Sequence, residues 1–191
     1  MDKKEIIKIY GEDYKEMTKR LLAACRLETI LKDKADKRGI GEEKTLRIGI
    51  KPNLVSASEA SWGATTHPEL SAGIIEYLQE RGFENISMLE SSWVGGRTDE
   101  AYELCGYRAL SEKYGVPFYD LQKDTATLQD CAGMELKICE RAGDIDFLIN
   151  VPVLKGHCQT KITCALKNMK GLIPGSEKRR FHSLGLHLHR G

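Results

Sequence analysis

Two short stretches of this sequence hold the residue types that binding and proton transfer need. The first is Thr65-Thr66-His67-Pro68-Glu69, with two hydroxyls, an imidazole and a carboxylate at what reads as the opening of a helix. Thr66 and Glu69 have capping-box spacing, and Pro68 sits in the first turn, where its missing N–H costs nothing. The free amides of such a helix start, together with Thr65 and Thr66, can cup an anion, with His67 as a proton donor. The second stretch runs from Val151 to Thr163 and leaves an apolar strand to enter a predicted helix. Lys155, His157, Thr160 and Thr163 at that junction can hold a phosphate or carboxylate through charge and through helix amides. Lys167, Asn168 and Lys170 extend the supply of polar groups before Gly171 and Pro174-Gly175 stop the helix. His157 and His67 are the candidates for proton transfer, because an unperturbed histidine titrates near neutral pH, and Lys155 supplies charge beside them. Each stretch also has a plainer explanation, a well-made helix start in one case and a solvated basic face in the other.

Other chemistries find less support. The Walker pattern GxxxxGK[ST] and the dinucleotide pattern GxGxxG are both absent, which argues against a nucleotide site of either kind. His157, Cys158 and Cys164, or His182, His187 and His189, have the ligand types for a metal but not the spacing of a zinc finger or a ferredoxin cluster. No metal site is assigned on these residues. Cys158 beside His157 and Lys155 has the neighbours of an activated thiol, but adjacency in sequence does not show that the side chains meet.

The elements that must position these groups alternate between strand and helix. Strands are predicted at 5–10, 45–50, 86–90, 116–121, 135–139 and 146–151, and helices at 12–31, 68–81, 98–104, 108–114 and 160–169. Residues 32–44 read as a charged connection, and 122–143 are the least legible. The run 146–151 is apolar and β-favouring throughout, as a buried parallel strand should be. Strands separated by helices need crossover connections. The expected fold is therefore α/β, a three-layer sandwich with a mainly parallel β-sheet flanked by helices, built by residues 1–191 as one domain. In such sheets ligands gather beyond the carboxyl ends of the strands. Lys51-Pro52-Asn53, Glu90-Ser91-Ser92 and Pro152 to His157 all fall there.

Composition sets the outer limits. The 191 residues are 41% hydrophobic and 30% charged with a formal net charge of +1, which suits a folded domain and argues against a dedicated nucleic-acid binder. The average hides an asymmetry: residues 151–191 hold eight Lys/Arg against one acid, Glu177, and four of the five histidines. No apolar run is long enough to span a membrane, and the charged start Met1-Asp2-Lys3-Lys4-Glu5 is unlike a signal peptide. The expected location is cytoplasmic, with the six cysteines as free thiols.

Several motifs, in order along nearly the whole chain, carry a family resemblance. They are Lys51-Pro52-Asn53-Leu54, Thr65-Thr66-His67-Pro68-Glu69, and Val151-Pro152-Val153-Leu154-Lys155-Gly156-His157 with Thr160, Thr163, Lys167-Asn168 and Gly171, then Pro174-Gly175, Lys178 and His182. The set resembles the domain-of-unknown-function family 362. Relatives often read Gly-Asp-Ser-Pro-Gly where this chain has Leu89-Glu90-Ser91-Ser92-Trp93, so the resemblance implies that Glu90 stands for an aspartate of the site. Many relatives are labelled iron–sulfur proteins because of a ferredoxin-type segment. This chain has no such cysteine run, so that label does not transfer. The resemblance also implies a domain that continues past Gly191, in which case a truncated chain with an open sheet edge would favour a homodimer.

The residues together predict one anion-binding crevice. Lys51, Asn53, Thr65, Thr66, Glu90, Thr160, Thr163, Lys167 and Asn168 would bind the ligand there, and Lys155, His157 and His67 would act on it. The partner is a small phosphate or carboxylate. Neither a cofactor nor a reaction is implied. Two other readings are a metal- or iron–sulfur-associated redox protein and a module that binds nucleic acid or protein.

Overall fold

The computed structural model describes residues 5–158 and 160–183. Two helices, α1 (Tyr14–Ala24) and α2 (Leu27–Arg38), precede the first strand, β1 (Ile48–Pro52). Helix α3 (Pro68–Gln79) leads to β2 (Ile86–Glu90), and α4 (Thr98–Leu104) with α5 (Tyr107–Tyr114) leads to β3 (Phe118–Asp120). A hairpin of β4 (Ala126–Cys131) and β5 (Met134–Cys139) and one helical turn, α6 (Glu140–Gly143), come before β6 (Phe147–Val151). A second hairpin, β7 (Lys155–His157) and β8 (Lys161–Thr163), is followed by α7 (Ala165–Asn168), a 3-10 turn at Met169–Leu172 and α8 (Gly175–Ser183).

Strands β3, β2, β1 and β6 form one sheet in that order, and every pairing is parallel. The first three strands build the sheet in one direction. The chain then returns to add β6 on the other side of β1. That reversal makes a topological switch point between β1 and β6, where a crevice opens at the carboxyl ends of the strands.

Strand side chains alternate between the two faces. Ile48, Ile50, Ile86 and Met88 pack with Leu31, Ile74, Leu78 and Tyr107 from α2, α3 and α5 in the larger core. Leu89, next after Met88 and so on the opposite face, joins Cys139, Leu148 and Leu172 in a second, smaller cluster. Strands β1 and β2 are buried at all their positions, which explains their apolar sequences. The architecture is thus the expected one, a parallel sheet flanked by helices.

Several local expectations are corrected. Residues 5–10 form no strand; Ile6 and Tyr10 are exposed, so the alternating pattern finds no partner. The predicted helix over 12–31 is two helices, broken where Arg26 takes a left-handed φ of 53°, and the second consumes much of the predicted connection. Strand β6 is only half-buried, because it is the outer strand of the sheet. The predicted helix over 160–169 is mostly absent. Lys161–Thr163 instead pairs back on Lys155–His157, and helix begins only at Ala165. The capping box does not form: His67 is the N-cap of α3 and makes no side-chain cap bond. All six cysteines are free thiols.

Candidate functional site

Thr66 closes the switch point. Its hydroxyl accepts from the Asn53 N–H at 2.8 Å and donates to the Val151 carbonyl at 2.7 Å, joining the chain just past β1 to the last residue of β6. The Thr66 N–H returns a bond to Asn53 O at 2.9 Å. Thr65 is equally buried and donates to Ser58 O at 2.9 Å. Both hydroxyls are therefore engaged in holding the loops. His67 stacks on Tyr14 with ring centroids 4.6 Å apart, away from the crevice.

Under the crevice lies a buried ion pair. Lys51 Nζ is 2.6 Å from Glu90 Oε2, with both side chains almost fully buried. Glu90 also accepts from the Leu54 N–H at 3.0 Å and the Ser91 N–H at 2.7 Å, and Lys51 donates to Pro52 O at 2.9 Å. Burial pushes the Lys51 pKa down, and the Glu90 charge opposes that shift. The 3-10 turn crosses directly over this pair. A Cβ on Gly171 would stand 2.0 Å from Glu90 Oε1 and 2.6 Å from Lys51 Nζ, so only glycine fits. Asn168 ties the same turn to the sheet by donating to Asn150 Oδ1 at 2.7 Å and to Lys51 O at 3.3 Å.

Above the ion pair is a pocket of about 690 Å³. Asn53, Val55 and Ser56 after β1, with Glu90 at the end of β2 and Ser91 to Val94 after it, form part of its wall. The rest comes from the chain after β6: Lys155, His157, Cys158, Thr163, Lys167, Asn168, Lys170, Gly171, Lys178 and Arg179. The second hairpin explains how residues so close in sequence converge. Lys155 and His157 are two apart on one strand, and Thr163 pairs with Lys155 on the other, so all three share a face.

Cations dominate the charged residues of this lining. Four lysines and Arg179 face one carboxylate, Glu90, which already neutralises Lys51. Lys178 donates to Ser91 O, Ser91 Oγ and Ser92 O at 2.6–2.7 Å, and Lys155 to Ala64 O. Lys167 has no acidic partner among the described residues. Burial lowers the pKa of all four ammonium groups; the Lys167 charge adds to this at Lys155 and Lys170. Lys170 and Lys178 fall to about 8. Thr163 Oγ1 is buried without a hydrogen-bond partner among the described residues, an uncommon state for a native hydroxyl. The Thr160 N–H donates to His157 Nδ1 at 3.2 Å, which places the proton of the neutral ring on Nε2. A negatively charged group here would meet ammonium groups and the Thr163 hydroxyl, with His157 alongside.

Of the residues singled out by sequence, Asn53, Glu90, Lys155, His157, Thr163, Lys167 and Asn168 line this pocket. Lys51 lies beneath it through Glu90. Thr65, Thr66 and His67 do not line it, nor does Thr160, whose hydroxyl donates to Ile162 O at 2.9 Å. Trp93, Lys178 and Arg179 were not among the predicted ligands. The basic surplus of the last 41 residues was the available signal for the two cations. Among the described residues no three His, Cys, Asp or Glu side chains are grouped to hold a metal ion. His187, His189 and the side chain of His182 lie outside the described residues.

A parallel α/β sheet with a lysine-lined crevice at its switch point defines a class of fold and not a particular reaction. The family described as domain of unknown function (DUF362) matches residues 48–190, and the chain belongs to that family. A thylakoid-associated protein of Synechocystis sp. (strain ATCC 27184 / PCC 6803 / Kazusa) is 28% identical over 136 residues. That match covers 71% of this chain and 42% of the relative, so the chain spans less than half of that protein's length. No solved structure matches the chain significantly. No helix among the described residues is long and apolar enough to cross a membrane.

Proposed function

We infer that this protein binds a small phosphate- or carboxylate-bearing ligand in the crevice beyond the carboxyl ends of β1, β2 and β6. One observation carries the reading: four lysines and an arginine share a pocket whose single carboxylate is already paired. Gathering like charges at a desolvated site is costly, and a bound anion offsets that cost. The Thr163 hydroxyl, without a partner among the described residues, supports the same conclusion. His157 is the residue we assign to proton transfer if the ligand is turned over, since it shares the hairpin face with Lys155 and Thr163. Among the described residues no strand pairs with the outer side of β6, which supports a homodimer, a reading that a monomeric mass in light scattering would remove. We keep the cytoplasm as its location, which recovery in a washed membrane fraction would contradict.

Calorimetric titration with inorganic phosphate and with malonate tests the reading. Lys167→Ala is the informative variant, because that ammonium has no acidic partner to satisfy among the described residues. A charge-assisted hydrogen bond contributes roughly 1.5–3 kcal/mol, so the variant should bind about ten- to a hundredfold more weakly. Its melting temperature should not fall. Absence of binding by the unmodified chain to either anion at millimolar concentration would end this reading.

A further inference from the structure

The pocket is far larger than a simple anion requires. Its volume of about 690 Å³ lies within the range of sites that enclose whole organic ligands. A water occupies about 30 Å³, and an inorganic phosphate is only a few times that size. The cations also leave part of the wall unexplained. Trp93, Val55 and Val94 bring apolar surface from the loops after β1 and β2.

Trp93 is held in an unusual way for a residue that is 56% exposed. Its ring lies against the backbone of Gly95 and Gly96. A Cβ on Gly95 would come within 2.2 Å of the ring, and one on Gly96 within 2.7 Å. The loop is pinned as well. The Trp93 N–H donates to Val55 O at 3.3 Å, the Gly96 N–H to Trp93 O at 2.9 Å, and Gln122 Nε2 to Gly96 O at 2.9 Å. Two glycines lie against the indole without covering it, and these bonds hold the backbone of the loop that carries it. A preorganised, exposed aromatic surface on a pocket wall is suited to stacking, because little conformational freedom is lost when a ring settles on it.

Resting on the anion-binding reading above, we propose that the ligand is an aromatic anion. Its phosphate or carboxylate sits among Lys155, Lys167 and Lys170, and its ring stacks on Trp93 between Val55 and Val94. Trp93 is then the residue that selects among anions, and the lysines are the residues that hold any of them.

Titrations of the whole chain with inorganic phosphate, cyclohexyl phosphate and phenyl phosphate separate these contributions. Stacking on an aromatic side chain should make phenyl phosphate bind about tenfold or more tightly than inorganic phosphate. Cyclohexyl phosphate should fall between the two. In Trp93→Ala that gap should close while inorganic phosphate keeps its affinity, and Trp93→Phe should restore most of it. Equal affinities for phenyl and inorganic phosphate in the unmodified chain would overturn the proposal and leave the anion site standing. Loss of inorganic phosphate binding in Trp93→Ala, with an unchanged circular dichroism spectrum, would also overturn it, since Trp93 would then shape the site instead of receiving a ring. Failure of all three probes to bind would overturn both readings.

Discussion

Glu90 shows how one residue can line a pocket and also support the structure around it. It ends a strand beside the crevice, and both its oxygens are engaged, one by Lys51 and Leu54 and the other by Ser91. Removing one member of a buried pair leaves the other as an uncompensated charge, which typically costs about 3–5 kcal/mol. Glu90→Gln should lower stability to urea by about that amount, and adding Lys51→Met should recover much of it. A Glu90→Gln variant of unchanged stability would show that the pair is not the structural keystone described above. The sequence marked Glu90 and Lys51 as odd polar residues at strand ends. It could not show that they meet each other, because their pairing depends on the register of β1 against β2. Gly171 was legible as a helix stop and not as the residue whose missing side chain lets the turn cross the pair.

At the scale of elements, the strands of the parallel sheet were read well, and the strand expected at 5–10 and the two hairpins poorly. Strand β2 and helix α4 lie where the sequence placed them, since each has a strong local pattern and ends at a clear turn. Strand β8 falls in the stretch read as helix over 160–169, and β7 in what was read as the junction before it. What decides otherwise is pairing with Lys155–His157, a contact outside any local window. A related long-range contact fastens β1 to β6 at their amino ends. The Asp146 carboxylate accepts from Arg47 N, Nε and Nη2 at 2.9–3.0 Å, with Arg38 Nη1 also 3.0 Å away. The Arg47 hydrogen bond is the main cause that brings the Asp146 pKa down to about 2. A carboxylate whose folded pKa is depressed adds stability that is present above its unfolded pKa and is lost as pH falls through the folded value. For Asp146 the window is therefore from about pH 4 down to about 2, and the contribution at neutral pH is about 2 kcal/mol. Asp146→Asn should remove roughly that much at pH 7 in denaturant titrations and little at pH 2. An equal loss at both pH values would assign the effect to packing instead of charge.

For the whole molecule, charge asymmetry and topology lead to the same place. Eight of the basic residues lie in residues 151–191, against a single acid, Glu177. This segment follows β6, the strand that creates the switch point, so much of that surplus arrives at the crevice. The class of fold and the end of the sheet that carries the pocket were both legible, because alternating strands and helices admit few topologies. Which polar residues face the pocket was less so. Thr66 carries a hydroxyl that reads as a ligand donor, yet it joins the chain just past β1 to the end of β6. Trp93 gave no signal in sequence, since its place on the pocket wall depends on two glycines against its ring.

The central claim is that this lysine-lined pocket is an anion site, and a diffraction experiment tests it most directly. Crystals grown or soaked with tungstate, a heavy tetrahedral stand-in for phosphate, should give an anomalous peak within hydrogen-bonding reach of the Lys155 and Lys167 ammonium groups and of Thr163 Oγ1. Tungstate peaks confined to the outer surface, with the pocket empty at saturating tungstate, would contradict the account.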